Sequence, residues 1–202
     1  MTETRDKILD TAERLFGEYG YAATSLRQII AAAGVNLAAI HYHFGSKEEL
    51  LDDLVKRKVA PVNAERMALL DRYETEAGDR PVPLDKLLNA FLQPPLQRVK
   101  ENPEFARLMG RLYGEGLMPR IAERNFQTIV ARFTAAFTCT LPRLTDMEVT
   151  LRLQFMVGAM AHTMMFASVN LNLDGDLVAR ELVAFLEGGM QAPRPVLTEA
   201  MK

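Results

Sequence analysis

Side chains that could bind an anion are concentrated in residues 19 to 47, a stretch without aspartate or glutamate. Its cations and hydrogen-bonding rings are Arg27, His41, Tyr42, His43 and Lys47. Acids flank the stretch closely, so residues 1 to 58 hold eight Lys or Arg against nine Asp or Glu. Phosphates repel carboxylates and attract cations and helix N-termini, so the stretch suits a nucleic-acid backbone. The alternative is that these short helices lack acids by chance.

Two short helices joined by a tight turn are predicted to position these side chains. Thr24 or Ser25 can cap the first helix, whose apolar residues recur at helical spacing. Gly34 ends that helix as a left-handed C-cap residue, and Asn36 caps a second helix over residues 37 to 43. This layout is typical of the helix-turn-helix proteins that read the DNA major groove.

The ordered motifs of the region resemble the N-terminal domain of TetR-family transcriptional regulators. The motifs are Tyr19-Gly20-Tyr21, Thr24-Ser25, Gly34-Val35 and Tyr42-His43-Phe44-Gly45-Ser46-Lys47-Glu48-Glu49-Leu50. The resemblance covers roughly residues 5 to 55. It implies an all-α fold with a three-helix DNA-binding domain, residues 1 to 58, followed by a helical effector-binding and dimerisation domain, residues 59 to 202. Together the two domains should contain nine to ten helices.

Chemistry suggests a role for each residue near the start of the two short helices. Thr24 and Ser25 can hold a phosphate at a helix N-terminus. Arg27 is the candidate for a bidentate contact to guanine, although a solvent-exposed helix residue would look the same. Leu37 and Ala38 could touch thymine methyl groups, and Leu37 could equally belong to the core.

The remaining candidate DNA contacts lie at the cap and the end of the second helix and just beyond it. Asn36 lies at the cap, and His41 and Tyr42 can donate hydrogen bonds to phosphates or base edges. His43 could contact the backbone or stabilise the helix end. By family resemblance, Lys47 is expected to clamp a phosphate. With few polar readers, recognition should also depend on DNA shape.

The rest of the chain is predicted to form helices separated by proline and glycine. We expect a bend at Pro61, a kink at Pro94 and Pro95, and one long helix ending at Thr140. A capping box at Thr145 opens the next long helix. No alternating strand pattern is visible in the sequence.

The last two long helices are the predicted dimer interface. The first of them is apolar on more than one face, so one face packs inside the protein and another must be covered. Candidate interface residues are Phe155, Met156, Ala159, Leu182, Phe185 and Leu186. In the family that the sequence resembles, the terminal helices form a four-helix dimer interface. A monomer with a buried central helix is the alternative.

The middle helices are expected to hold a pocket for a small apolar effector. Candidate lining residues are Phe91, Phe105, Met109, Tyr113, Phe126, Phe133, Met160 and Met164. Methionine adapts to varied apolar ligands, although each of these residues could be ordinary core. Residues 25–47, together with the short stretches 151–164 and 183–190, also resemble PsrA-type regulators. Those regulators sense long-chain fatty acids or their derivatives, so the resemblance implies a fatty-acyl effector.

Composition argues against several other classes of protein. The chain has three histidines, one cysteine (Cys139), no Gly-rich phosphate loop and no His/Glu metal spacing, so we expect neither an enzyme nor a cofactor or metal site. No apolar run could span a membrane, and the polar N-terminus lacks a signal-peptide core, so a cytoplasmic location is the expectation.

The sequence therefore predicts a homodimeric regulator that binds a double-stranded DNA operator. It is expected to act as a repressor that an apolar effector releases from the operator. The alternative is a helical small-ligand carrier or a protein-interaction module that does not bind DNA sequence-specifically.

Overall fold

Helices account for nearly all of the chain in the computed structural model, which describes residues 2–169 and 174–194. The ten helices of the described residues are α1 (Thr2–Tyr19), α2 (Leu26–Ala33), α3 (Leu37–His43), α4 (Lys47–Ala77), α5 (Leu84–Glu101), α6 (Pro103–Gly114), α7 (Met118–Asn125), α8 (Gln127–Thr140), α9 (Asp146–Val169) and α10 (Gly175–Gln191). The all-α prediction and its helix number are confirmed. The last part of the predicted second domain, residues 195–202, lies outside the described residues.

Side-chain caps begin the helices where the sequence predicted them. The Ser25 hydroxyl accepts from the backbone N–H of Gln28, and the Gln28 side chain accepts from the Ser25 N–H, which makes a complete capping box on α2. Asn36 caps α3 in the same way through the N–H of Ala39, at 2.9 Å. Gly34 ends α2 with φ +61°, a left-handed conformation that L side chains rarely adopt.

Prolines do not end the helices that contain them. The helix α4 continues through Pro61, where buried Val59 and Val62 hold it against its neighbours. The predicted domain boundary between residues 58 and 59 therefore lies inside a helix. Likewise α5 continues through Pro94 and Pro95, both of which are buried. Packing of the apolar faces outweighs the backbone hydrogen bonds that proline removes.

The long helix predicted to end at Thr140 is in fact two helices. Phe126 is the C-cap residue of α7 and the N-cap residue of α8, with φ −123° and ψ 1°. The N–H of Phe126 still bonds to Ala122, and its carbonyl accepts from Val130, so the chain changes direction at one residue without losing these bonds. No glycine or proline marks this position in the sequence.

Two groups of buried apolar side chains form the interior. The reader cluster joins α1 to α4 with residues of α6, α7 and α9 that include Phe105, Leu108, Leu112, Ile121 and Met164. The body cluster joins the second half of α4 with α5, α8, α9 and α10 through residues that include Leu70, Leu87, Phe133, Met156 and Leu186. Within the described residues, no helix is long and apolar enough to cross a membrane.

Candidate DNA-binding surface

Buried side chains on α2 and α3 fix which face of each helix is left open. Ile29 and Ala33 of α2 and Ile40 of α3 are buried in the reader cluster with Ile8 and Phe16 of α1. The opposite faces consist of exposed residues: Ser25, Arg27, Gln28, Ala31, Ala32, Asn36, Leu37, Ala38, His41 and Tyr42. The predicted DNA-facing residues other than Thr24, His43 and Lys47 are thereby exposed on the helix-turn-helix.

Thr24 is the most buried of these three residues, because its side chain is directed inward. It is 1% exposed, and its hydroxyl donates to the carbonyl oxygen of Gly20 at 2.7 Å, with that of Leu15 at 3.2 Å. The expectation that this hydroxyl holds a phosphate is wrong. Thr24 instead ties the start of the helix-turn-helix to the end of α1. The exposed Ser25 beside it remains available at the N-terminus of α2.

The recognition helix α3 presents apolar and aromatic groups to solvent. Leu37 is 54% exposed, which answers the question of whether it belongs to the core, and Tyr42 is 71% exposed. The ring of Tyr42 packs edge-on against half-buried His43, with centroids 5.1 Å apart. The Nδ1 atom of His41 lies 3.1 Å from the carbonyl oxygen of Gly45. A carbonyl only accepts, so Nδ1 carries a proton and the Nε2 atom is left for an outside partner.

Lys47 has an internal partner in this structure. Its ammonium donates to the carbonyl oxygen of Tyr21 and lies 4.1 Å from the centroid of the Tyr21 ring. Burial lowers the pKa of Lys47, while the charge of Glu115 opposes that shift. To clamp a phosphate, the side chain would have to exchange the Tyr21 carbonyl for it, so the predicted role of Lys47 stays a prediction.

Most of the acids that flank the acid-free stretch are paired with cations, whereas Glu49 instead accepts a hydrogen bond from the Ser46 hydroxyl. Arg57 reaches Asp10 at 2.7 Å, and Arg5 reaches Asp53 at 2.8 Å. Further pairs include Lys58–Glu13, Arg120–Glu48 and Arg124–Asp52. Pairing weakens the repulsion that these carboxylates would exert on a phosphate backbone nearby, even though such surface pairs add little to stability.

Two residues outside the acid-free stretch contact it and were not singled out from the sequence. The ammonium of Lys7 would lie 3.8 Å from a Cβ atom placed on Gly34, so α1 brings a cation to the turn between α2 and α3. Glu115, at the end of α6, accepts from the backbone N–H groups of Tyr21 and Ala22, both at 2.9 Å. Lys7 could have been found from the sequence, because it is a basic residue near the N-terminus of α1. The contact of Glu115 with Tyr21 and Ala22 spans more than ninety residues and leaves no sequence signal.

The predicted dimer-interface residues separate into two groups. Met156, Leu182 and Leu186 are buried within the chain as part of the body cluster, so their assignment to an interface is wrong. Phe155 is 68% exposed and Phe185 is 72% exposed. Ala159 is half-buried against the body cluster. Sequence could not separate the faces of α9, because apolar residues surround that helix.

The predicted pocket residues do not form one set. Phe105 and Met164 are buried in the reader cluster, with Met109 and Phe126 packed against it, whereas Phe91 and Phe133 lie in the body cluster. Tyr113 is partly exposed, and its hydroxyl oxygen would lie 3.6 Å from a Cβ atom placed on Gly158, so its assignment to the pocket stays a prediction. Met160 packs against both clusters and is the point where they meet.

Family models match both parts of the chain. Residues 8–54 match the model for bacterial regulatory proteins of the tetR family, and residues 89–189 match the tetracyclin repressor-like C-terminal domain. The chain belongs to the TetR family. The first match spans the helix-turn-helix and the start of α4, and the second spans most of α5 to α10.

Curated relatives of this TetR-family chain are similar mainly in the DNA-binding part. The transcriptional regulator AcrR of Shigella flexneri is 48% identical over 52 residues, which are 26% of this chain and 24% of that protein. The transcriptional repressor KstR2 of Mycobacterium tuberculosis is 31% identical over 88 residues, 44% of this chain and 40% of that protein. The chain therefore spans a quarter to two fifths of these relatives.

Solved structures share the fold over nearly the whole chain. A tetR-family regulator from Shewanella superposes with a TM-score of 0.69 at 17% identity, covering 93% of this chain and 95% of that one. The fatty acid degradation regulator FadR of Bacillus halodurans gives a TM-score of 0.65 at 16% identity, covering 94% and 97%. At such identities the likeness establishes the fold alone.

Proposed function

We propose that this TetR-family chain is a DNA-binding transcriptional regulator that represses by occupying an operator. The observation that carries the proposal is the exposed, acid-free face of α2 and α3, held in place by side chains buried beneath it. Small residues such as Ala38 let α3 approach base edges closely, and Leu37 supplies an apolar contact for thymine methyl groups. Lys7 and Lys47 supply cations for the phosphates on either side.

Arg27 is the residue proposed to read a base. It is exposed on α2, one turn from the helix N-terminus that Ser25 caps. A guanidinium can form two parallel hydrogen bonds with guanine O6 and N7, and losing such a pair removes about 1–3 kcal/mol of discrimination. His41 and Tyr42 are proposed to contact phosphates or base edges beside it.

Binding to DNA from upstream of the protein's own gene tests the proposal. Fluorescence anisotropy should show binding that falls steeply as salt rises, because phosphate contacts release counterions. Arg27→Ala should reduce specific binding roughly tenfold or more and leave the helical CD spectrum unchanged. Arg80→Ala, an exposed arginine in the loop after α4, is the matched control and should bind as the unaltered protein does. Equal affinity for operator and unrelated DNA would contradict the proposal.

We further propose that two copies associate through the open faces of α9 and α10. Exposed Met147, Leu151 and Phe155 recur every fourth residue along α9, and Phe185 lies exposed on α10. A large apolar stripe on a surface helix favours a protein partner, and a second copy places two recognition helices on two half-sites. Phe155→Glu should shift the protein toward monomer in sedimentation experiments, while Tyr19→Glu, at another exposed aromatic, should not.

The effector is proposed to bind in the body and to weaken operator binding. Support comes from the reader cluster, which contains side chains of α6, α7 and α9 as well as those of the DNA-binding helices. A change in the body is therefore transmitted to the reader through shared packing. Linkage requires that operator DNA weaken effector binding by the same factor. An effector that binds without changing operator affinity would contradict this coupling. A fatty-acyl effector, which the sequence resemblance implied, remains a proposal of the same kind.

A further inference from the structure

Arg66, on α4, is buried among apolar side chains without a carboxylate partner. The residue is 3% exposed, and no carboxylate oxygen in the described part of the chain lies within 4.0 Å of its guanidinium. Its terminal nitrogens contact Asn63 Oδ1 at 3.3 Å and Met160 Sδ at 3.6 Å. Because a guanidinium has five N–H donors and a thioether is a weak acceptor, these contacts supply no anion to balance the charge.

One of the five donors has a structural explanation. The Nε–H group of Arg66 donates to the carbonyl oxygen of Phe91 at 2.8 Å. In a regular helix that carbonyl would accept from the residue four positions later, which is Pro95 and has no N–H. Arg66 therefore repairs a helix bond that proline removes. A neutral amide would do this equally well, so the repair explains neither the charge nor the outer nitrogens.

The charge is unfavourable where it lies. Burial lowers the pKa of Arg66 to about 9, so the side chain is still cationic at neutral pH. A buried cation without an anion is expensive in free energy, and natural cores normally pair it. An anionic ligand from outside the chain would explain why the Arg66 guanidinium is buried without a carboxylate.

The surroundings indicate what kind of partner fits. The Phe91 ring lies 4.1 Å from the guanidinium carbon and packs edge-on against Phe133, with centroids 5.1 Å apart. Met160 packs against both apolar clusters, and its flexible side chain contacts the Nη2 atom of Arg66. A ligand here would meet one cation in a wall of aromatic and thioether groups.

We propose that Arg66 binds the acid group of an apolar monocarboxylate between the reader cluster and the body cluster. The carboxylate takes the outer guanidinium nitrogens in a two-bond contact, displacing Met160, and the hydrocarbon part packs against Phe91 and Phe133. This site rests on the effector-binding body of the proposed function and names the chemical class of its ligand. Displacement of Met160 alters packing in both clusters, which gives the acid a route to the DNA-binding helices.

The first test measures carboxylate affinity by calorimetry on the unaltered full chain. The probes are straight-chain carboxylates from hexanoate to palmitate and phenylalkanoates, each paired with the alcohol of the same skeleton, with acetate as the purely ionic control. At least one carboxylate should bind roughly tenfold or more tightly than its alcohol, because charge-assisted hydrogen bonds are lost in the alcohol. Equal affinity of acid and alcohol, equal affinity of acetate, or binding by none of the acids would overturn the proposal.

Arg66→Gln separates the charge from the helix repair. The Nε2 atom of glutamine is attached at the same chain position as the Nε atom of arginine, so the donor to the Phe91 carbonyl is retained while the cation is removed. Carboxylate affinity should fall roughly 10- to 100-fold and the melting temperature should be unchanged or higher. Arg111→Gln, an exposed arginine on α6 that donates to the Glu18 carbonyl, is the matched control and should keep full affinity. Undiminished binding by Arg66→Gln would overturn the assignment.

Operator release is measured separately, so the two proposals can fail separately. Arg66-dependent carboxylate binding without any effect on operator affinity would leave this site standing and contradict the regulatory coupling. Operator release by an uncharged ligand that Arg66→Gln still binds would support the coupling and overturn this site. If Arg66→Gln does not fold, the comparison of acid with alcohol on the unaltered protein remains decisive.

Discussion

The two apolar clusters differ in which parts of the chain they join. The reader cluster combines the DNA-binding helices with side chains of α6, α7 and α9, whereas the body cluster contains only residues from the second half of α4 onward. The core beneath the helix-turn-helix is therefore shared with helices outside the DNA-binding part. Packing against α6, α7 and α9 therefore contributes to the stability of the DNA-binding helices.

Polar contacts distinguish the two regions in the same way. Glu115 of α6 holds the loop between α1 and α2 through two backbone N–H groups, and Arg120 and Arg124 of α7 pair with acids of α4. The α9–α10 pair is instead held by Arg152, which donates to the carbonyl of Met190 at 2.6 Å near the end of α10. Polar contacts near the DNA face thus join α6 and α7 to the DNA-binding helices and α4. The Arg152 contact near the proposed dimer face joins only α9 and α10.

Matched leucines give the strongest test of this difference. Leu108→Ala in the reader cluster and Leu87→Ala in the body cluster each remove a side chain that has no exposed surface. Each should lower the free energy of unfolding by about 2–5 kcal/mol in urea denaturation. Hydrogen exchange should rise more in α1 and α2 for Leu108→Ala, and more in α8 and α10 for Leu87→Ala. An unchanged exchange rate in α1 and α2 after Leu108→Ala would show that the reader is independent of α6.

Two glycines with positive φ test the Glu115 contact. A Cβ atom on Gly20, at φ +90°, would lie 2.1 Å from the Glu115 carboxylate, whereas one on Gly116, at φ +70°, meets nothing within 4 Å. Backbone strain should destabilise both alanine variants by about 1–3 kcal/mol in thermal unfolding. Gly20→Ala should also push Glu115 off the Tyr21 and Ala22 N–H groups and alter the effect of an effector on operator binding.

The double variant Gly20→Ala/Glu115→Ala separates backbone strain from the displaced carboxylate. If the contact is intact in the unaltered protein, Glu115→Ala alone should cost about 1 kcal/mol or less, because the carboxylate is exposed. The two changes should then be less than additive, since Gly20→Ala has already broken the contact. Strict additivity would mean that Glu115 does not hold the loop.

Local signals explain why the reader was predictable from sequence. The caps at Ser25 and Asn36 and the turn at Gly34 act within a few residues, and each lies where the sequence placed it. Thr24 was misassigned because its burial depends on Leu15 and on the packing of α1. Thr24 and Ser25 are adjacent hydroxyl residues, so the sequence does not tell which one caps α2 and which one bonds to the end of α1.

Distant contacts explain why the body was only partly predictable. A helix that is apolar on more than one face does not reveal whether Met156 or Phe155 faces outward, and the structure buries Met156. The burial of Arg66 depends on a carbonyl left free by Pro95 on another helix. Neither result follows from periodicity, since both depend on which helices become neighbours.

The smallest expected effects come from two capping boxes, one in each region. Ser25 pairs with the neutral Gln28 on α2, and Thr145 pairs with Glu148 on α9, whose carboxylate accepts from the Thr145 N–H at 2.7 Å. Ser25→Ala and Thr145→Ala should each cost about 1 kcal/mol in urea denaturation. Only Ser25→Ala should also weaken operator binding, because it loosens the helix that carries Arg27. Weaker operator binding by Thr145→Ala would indicate that α9 also affects the position of α2 and α3 when no effector is bound.

Acid should distinguish the same two caps. The N–H and hydroxyl of Thr145, together with Arg194 at 2.8 Å, lower the pKa of Glu148 to about 2. A carboxyl whose pKa is lower in the folded than in the unfolded chain stabilises above its ordinary pKa, and that contribution is lost as pH falls toward about 2. The fall in melting temperature between neutral pH and pH values below the ordinary glutamate range should therefore be smaller for Glu148→Gln than for the unaltered protein. Gln28 does not titrate, so Gln28→Ala should leave that pH dependence unchanged. An equal pH response in Glu148→Gln would place the acid sensitivity in other carboxylates and leave the two caps alike.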